Sequence, residues 1–578
     1  MIRLAKGGLS MKKISLLLIC ICLLFSCTPQ NLQSFDLFIE DTTNFFLEGT
    51  TSLNLNYIYN DCKYDSQYYG LGFTSEQDYL DTMQAYKNLL KKLHQYPFKS
   101  LNQTQQIVYT ALEDYLKRQI VLEDYYYYDN EYFGSYSSVV QELPLLLQMY
   151  TFNDIQDVEN YFLNIQAIKD DFIQAIEFEK ARQQQNIGYS QKILDDTKTQ
   201  IQEIIDENGQ ELIENVNNTI LQLNFLTSQQ KQEYCNKNKE VIQNDFIGAY
   251  QTLLNGLNTI RGKSENVSIQ DKEYYQAIIY NQLGIDTKIS NIEEDLYDCY
   301  DECYMSLYSL LQMNSELLNK DNIYDISYNE FDDITTGLDY LKTKIFNIVP
   351  DIDDLSYEIY QVPESLQDGF APAAYLTPKI DMYEHQKECI MINPTSTSDN
   401  IFPTLVHEGY PGHMYQNTYL RLKDYPDLMY LLDCIGYSEG WAIYMESRAS
   451  EFLENNVAWQ KVLITNDQLS SYLLALIDIG IHYKGWNYNE CIDFYNQATN
   501  NQFTDELQSL YDIIIQTPGY YLYYIYSGEI MHQHYNMASK KLGNKFDEVE
   551  FHQTILDSGC VGLDIVEKNI KNYIKEKK

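Results

Sequence analysis

Proline and glycine are scarce in this 578-residue chain, with 12 and 25 copies. That scarcity argues against a loop-rich or low-complexity protein and favours long packed elements. Positive charge is also in short supply, since 41 Lys and Arg stand against 83 Asp and Glu, a formal charge of -42. Such a field repels nucleic acid and anionic headgroups, so nucleic acid is set aside as a partner. The 11 cysteines include no CxxC pair with zinc-ribbon spacing, which speaks against cysteine ligation of a metal. No apolar run reaches the roughly 20 residues that a membrane span needs. The N-terminal run from Ile14 to Phe25 is too short.

What is abundant is tyrosine, at 54 copies, within a chain that is 44% hydrophobic. The length exceeds what one hydrophobic core usually organises, so two sub-structures or one large helical body with a cleft are expected. Helical patterning recurs from about residue 31 to residue 345. Asn102, for example, caps a segment that places Val108, Leu112, Tyr115, Leu116 and Ile120 on one face and Glu113, Asp114, Lys117 and Arg118 on the other. The tract Tyr125 to Tyr128 reads as core and wall material. The texture changes near residues 346–400, where Pro350, Pro363, Pro372, Pro378 and Pro394 interrupt helices. Within that stretch Cys389 to Ile392 reads as a short strand stopped by Asn393-Pro394. Asp399 is a plausible cap for a helix that begins near Phe402 with Pro403 in its first turn.

The expected architecture is therefore mainly α, a large multi-helix body around a central cleft or channel with a small β-strand element beside the helix that carries the motif described below. Three segments follow: a signal peptide at 1–26, an N-terminal helical region at 27–345 and a C-terminal region at 346–578. Lys12 and Lys13 ahead of the short apolar run form the charged start of an export signal. Leu24-Phe25-Ser26-Cys27 resembles a bacterial lipobox, which implies lipid on Cys27 and a location in the cell envelope, anchored outside the cytoplasm by that lipid alone; an ordinary secretory signal is the plainer alternative. Removing Cys20, Cys22 and Cys27 from the 11 leaves 8 cysteines, an even number that permits disulfides outside the cell.

Two of the eight histidines fall in His407-Glu408-Gly409-Tyr410-Pro411-Gly412-His413. Imidazole nitrogens bind zinc well, and a neighbouring glutamate that does not ligate can take a proton from an activated water. In the familiar HExxH pattern the histidines sit at i and i+4 on one helical face, whereas here the second comes at i+6. Pro411 and Gly412 can break the helix between them and swing His413 back. Two hydrogen-bonded histidines flanking a helix break are the alternative.

The run HEGYPGHMYQ, followed by Tyr437-Ser438-Glu439-Gly440-Trp441-Ala442 and Glu446, resembles the signature of the bacterial lipoprotein family known as domain of unknown function 885, itself similar to HExxH zinc metallopeptidases of the thermolysin-like, glutamate-ligand type. Ala371-Pro372-Ala373-Ala374-Tyr375 and a C-terminal Phe546-Asp547, Phe551-His552 and Leu556 extend the likeness. The resemblance implies one Zn2+ per chain held by His407, His413 and Glu439, with Glu408 as general base and Tyr524 as a donor to the developing oxyanion. Glu446, two turns beyond Glu439 on the same helical face, reads as a second contact to the site or as a structural residue, and His482, His532 and His534 read as structural histidines. The chain departs from the family at Tyr520 and Ile525, where glutamine and lysine are expected. The implied activity is hydrolysis of short or unfolded peptides, of the oligopeptidase or carboxypeptidase kind, with the strand Cys389 to Ile392 aligning an extended substrate as an edge strand does. A peptide- or ligand-binding lipoprotein with a structural zinc, or hydrolysis of another amide, are the competing readings.

Overall fold

The computed structural model describes residues 33–60, 66–128, 132–136, 138–314, 317, 331, 333–353, 356–362, 367, 371–382, 387–395, 401–455, 457–499 and 505–578. The signal segment, Cys27, Pro363 and the proposed cap Asp399 lie outside these residues. The protein is mainly α, with one small sheet among the described residues.

Helix starts follow local chemistry. Ser75, Asn102, Asp154, Ser190, Thr227 and Asp271 each accept a hydrogen bond from an amide in the turn they cap, satisfying donors that the helix itself leaves without partners. Asn102 and Gln105 complete a capping box at the start of helix Gln103–Ile120, where the sequence pattern placed it. The 30-residue helix Ile155–Gln184 buries Val158, Tyr161, Phe162, Ile165, Ile168, Phe172, Ala175 and Ile176, a stripe at spacings of three and four. This stripe centres one core that draws on residues from Leu53 to Ile260. A second and larger core joins Phe35 and Phe38 to Leu112, Leu283, Val406, Trp441, Leu522 and Ile570, so the first and the last of the described helices share one interior. The tract Tyr125 to Tyr128 is half-buried wall, as expected, with Tyr126, Tyr127 and Tyr128 donating to Thr74 O, Glu76 and Asp271.

Asp114 and Arg118 fall on the polar face of their helix, opposite the apolar one, yet they are 9% and 2% exposed. They pair with each other at 2.8 Å, while Arg118 also donates to the carbonyls of Asn281 and Asp433 and Asp114 accepts from the Gly562 amide. These partners come from distant segments. They satisfy the charges that a helical pattern alone assigns to water. No disulfide joins two cysteines among the described residues.

The proline-rich stretch holds the sheet. Strands β1 (Tyr357–Gln361), β2 (Ala373–Leu376) and β3 (Glu388–Ile392) lie in the order β1-β3-β2, with β3 parallel to β1 and antiparallel to β2. The expected strand Cys389 to Ile392 is therefore present, and every residue of β3 is buried. It is the central strand, however, and both its edges are already paired. The edge beside the histidine motif belongs to β2, whose Tyr375 amide bonds to Glu408.

Four of the remaining histidines serve the fold. His552 is fully buried, its Nδ1 2.7 Å from Ile348 O and its Nε2 2.9 Å from the Tyr444 hydroxyl. His482 lies between Ser268 Oγ and Ile514 O, and His532 contacts Ser447 Oγ. Burial pushes His482, His532 and His534 down to about 4 and His552 to about 3. A depressed histidine stabilises the fold above its unfolded value of about 6.5, and that contribution is lost as the pH falls towards the folded value, at about 1.4 kcal/mol per unit. Denaturant titration of wild type against His552→Asn should show the wild type losing about 1.4 kcal/mol more per pH unit between pH 6 and 4. Parallel pH profiles for the two proteins would contradict this role for His552.

Candidate metal centre

Helix Phe402–Glu408 starts from Ile401 with Pro403 in its first turn and delivers His407 and Glu408 at its C-terminal end. The chain then breaks through Gly409, Tyr410, Pro411 and Gly412, with a cis Tyr410–Pro411 peptide, and a new helix runs over His413–Arg421. The break expected from Pro411 and Gly412 is thus observed. It folds tightly, because the Gly412 amide bonds to Val406 O at 3.0 Å, and it is tied to the next helix by the Trp441 indole, which donates to Pro411 O at 2.8 Å. The result brings the two imidazoles edge to face, with ring centroids 4.8 Å apart.

The third member comes from helix Ile435–Ser447. Glu439 Oε2 lies 3.5 Å from His407 Nε2 and 3.4 Å from His413 Nε2. Three ligand atoms around a tetrahedral ion at 2.0–2.2 Å are separated by about 3.3 to 3.5 Å, and the two measured separations match. Glu439 Oε2 is buried with only long contacts to the two imidazole nitrogens, a costly state for a carboxylate oxygen that an ion would relieve. His407, His413 and Glu439 can therefore hold a metal ion, and they are the one such group among the described residues.

The surroundings support the trio. Glu446 Oε2 sits 2.9 Å from His407 Nδ1, fixing the ring so that Nε2 turns to the centre. Glu446 is thus the orienting carboxylate rather than a fourth ligand. Burial alone would lower the His407 pKa, but hydrogen bonds to Glu439 and Glu446 outweigh it and hold the imidazole well above its ordinary value. Burial would likewise raise Glu439, yet the charge of His413 and the hydrogen bonds from both histidines bring it well below the usual carboxylate range. Protons and a metal compete for these same atoms, so metal uptake releases protons. Glu446→Gln is expected to weaken metal binding by about 10- to 100-fold, measured by competition with a chromophoric chelator. Wild-type affinity in that variant would remove Glu446 from the site.

Glu408 lies beside the trio, its Oε1 3.9 Å from His407 Nε2. Its Oε2 accepts the Tyr375 amide at 2.8 Å, so the outer edge of β2 grips the carboxylate. Tyr375 is held in turn, because its hydroxyl donates to the buried Glu388 at 2.5 Å, and Glu388 also pairs with Arg421 and accepts from Thr418. The motif Ala371 to Tyr375 was noticed in the sequence, but its contact with Glu408 was not legible there. Alternation along β2 would have suggested it only once β2 was known to be an edge.

Tyr524, on helix Tyr520–Leu542, places its hydroxyl 3.3 Å from His407 Nε2 and stacks on that ring at 6.2 Å. Tyr520 stacks on Tyr524 in turn, with centroids 5.7 Å apart, so the departure from the family at this position extends an aromatic plate. Burial and the nearby carboxylates Glu439, Glu446 and Glu408 raise the Tyr524 pKa well above its ordinary value, so the phenol keeps its proton. The helix can come this close because Gly440 and Gly528 face their neighbours. A Cβ on Gly440 would lie 2.9 Å from Ser527 O, and one on Gly528 would lie 2.5 Å from an Ile443 side-chain carbon. His482, His532 and His534 stay outside the trio, as expected.

The fold and this site define a mainly α protein whose broken histidine motif and a glutamate from a second helix meet as a potential metal centre. The chain belongs to the family described as bacterial protein of unknown function (DUF885), whose model matches residues 61–570. The fold is shared with a candidate lipoprotein from Colwellia psychrerythraea, with a TM-score of 0.77 at 17% identity over 94% of this chain and 98% of that one. A candidate lipoprotein of unknown function from Shewanella oneidensis is also similar, with a TM-score of 0.63 at 15% identity over 93% and 99% of the two chains. No curated protein matches the chain. No helix among the described residues is long and apolar enough to cross a membrane.

Proposed function

We propose that the protein is a zinc-dependent peptidase of the bacterial cell envelope, anchored by lipid on Cys27, that hydrolyses short or unfolded peptides. The observation that carries this reading is the convergence of Glu408 and the Tyr524 hydroxyl on the trio His407, His413 and Glu439. Two histidines and one glutamate leave a fourth position of a tetrahedral ion open, the pattern of catalytic rather than structural zinc sites. Zinc held there would supply Lewis acidity, polarising a carbonyl and acidifying a water.

The chain supplies the rest. Glu408 accepts the proton of the attacking water and returns it to the leaving amine; the Tyr375 amide holds one of its oxygens and leaves the other turned to the trio. Tyr524, protonated and buried, donates to the oxygen on which charge develops. The substrate strand pairs with β2 rather than β3. Pro372 O bonds inward to Asn393 while the Tyr375 amide points outward to Glu408, so alternate main-chain groups of β2, those of Ala373 and Tyr375, face the site. This replaces the role first assigned to the strand Cys389 to Ile392.

The envelope location rests on Leu24-Phe25-Ser26-Cys27 and on the description of both structural relatives as candidate lipoproteins. A quenched-fluorescence peptide library tests the activity. The expected result is cleavage that a chelator abolishes and zinc restores. No cleavage across the library, with zinc bound, would overturn the peptidase reading in favour of a binding lipoprotein or a different amide substrate.

A further inference from the structure

Helix Tyr520–Leu542 carries Tyr520 in its first position and Tyr524 one turn later, yet its own N-cap is Gly519, which has no side chain to satisfy the first amides. The cap arrives from another helix. Asp478, near the end of helix Val457–Ile479, is completely buried. Its Oδ1 accepts the Gly519 amide at 3.0 Å and the Tyr275 hydroxyl at 2.7 Å, and its Oδ2 accepts the Tyr521 amide at 3.0 Å. The Leu522 amide also bonds to this carboxylate. One side chain thus fixes three amides at the start of the helix, those of Gly519, Tyr521 and Leu522, together with the hydroxyl of a neighbouring helix.

Such a grip sets both the height and the rotation of the helix. Each residue of an α-helix contributes about 1.5 Å of rise and about 100° of rotation, so a slip of a fraction of a residue would carry the Tyr524 hydroxyl away from its 3.3 Å approach to His407 Nε2. We propose that Asp478 is the positioning residue for Tyr524, a cap supplied from a second helix whose task is to hold the phenol at the site. This rests on the reading of Tyr524 as a donor in peptide hydrolysis.

The test compares Asp478→Asn, Tyr524→Phe and the double variant in the full zinc-loaded protein, with backbone hydrogen exchange over residues 519–524 as a readout independent of turnover. Asparagine keeps the shape but turns a donor towards one of the helix amides. Expected are zinc content and KM close to wild type, a fall in kcat of about 10²-fold, a double variant no slower than Tyr524→Phe alone, and exchange faster by about tenfold or more at 519–524. Tyr275→Phe, which leaves the three amide bonds intact, should retain the wild-type rate. Asp478→Ser, which keeps a single acceptor oxygen, gives the same comparison if the asparagine variant does not fold. Unchanged exchange at 519–524 overturns the proposal whatever the activity, and so do losses in kcat that multiply in the double variant. Accelerated exchange in a protein whose wild type cuts no peptide upholds the cap and sinks the peptidase reading instead.

Discussion

Gly412→Ala is expected to abolish tight metal binding although the residue ligates nothing. A Cβ at this position would lie 1.8 Å from His407 O, 2.4 Å from Val406 O and 2.5 Å from the His407 carbonyl carbon. All three are backbone atoms, so no rotamer change relieves the clash, and the turn must open. That turn is closed by the Gly412 amide on Val406 O, and His413 follows it directly. Opening it shifts one ligand relative to the other two. Overpacking of this kind costs about 1–3 kcal/mol in stability, and losing the aim of a ligand should weaken zinc by at least the 100-fold or so that disturbed outer contacts cost. Chelator competition on the folded variant measures the effect. Wild-type affinity there would mean that the geometry of the break does not set the site.

Glu408→Gln should separate chemistry from binding. The amide oxygen of glutamine can still accept the Tyr375 amide, and Glu408 is not one of the three ligands, so zinc content should be retained. What is lost is a basic oxygen beside the trio. A positioned general base is worth about 10²- to 10⁴-fold in rate, and the fall should appear in kcat with KM little changed. Metal retained with peptide cleavage intact would remove Glu408 from the proposed mechanism.

Much of the site was visible in the sequence because it is local. His407, Glu408, Pro411, Gly412 and His413 lie within seven consecutive residues, and the chemistry of Pro and Gly foretells the break that makes an i+6 spacing workable. Glu439 and Tyr524 were reached through resemblance to the family, since nothing in residue spacing links them to His407. The errors arose where partners are remote. A four-residue apolar run such as Cys389 to Ile392 shows that a strand is buried but not which strands flank it, and so β3 was mistaken for an edge. Asp114 and Arg118 fit the polar face of a helix and gave no sign that carbonyls at Asn281 and Asp433 and the Gly562 amide would enclose them. Asp478 was invisible for the same reason, its amide partners lying some 40 residues further along.

The most direct measurement is the metal content of the soluble form that begins after Cys27, beside His407→Ala, with peptide cleavage followed on both. The account predicts one zinc per chain in the first, and loss of zinc and cleavage together in the second. A protein that binds no zinc, or a variant that keeps both zinc and activity, would contradict it.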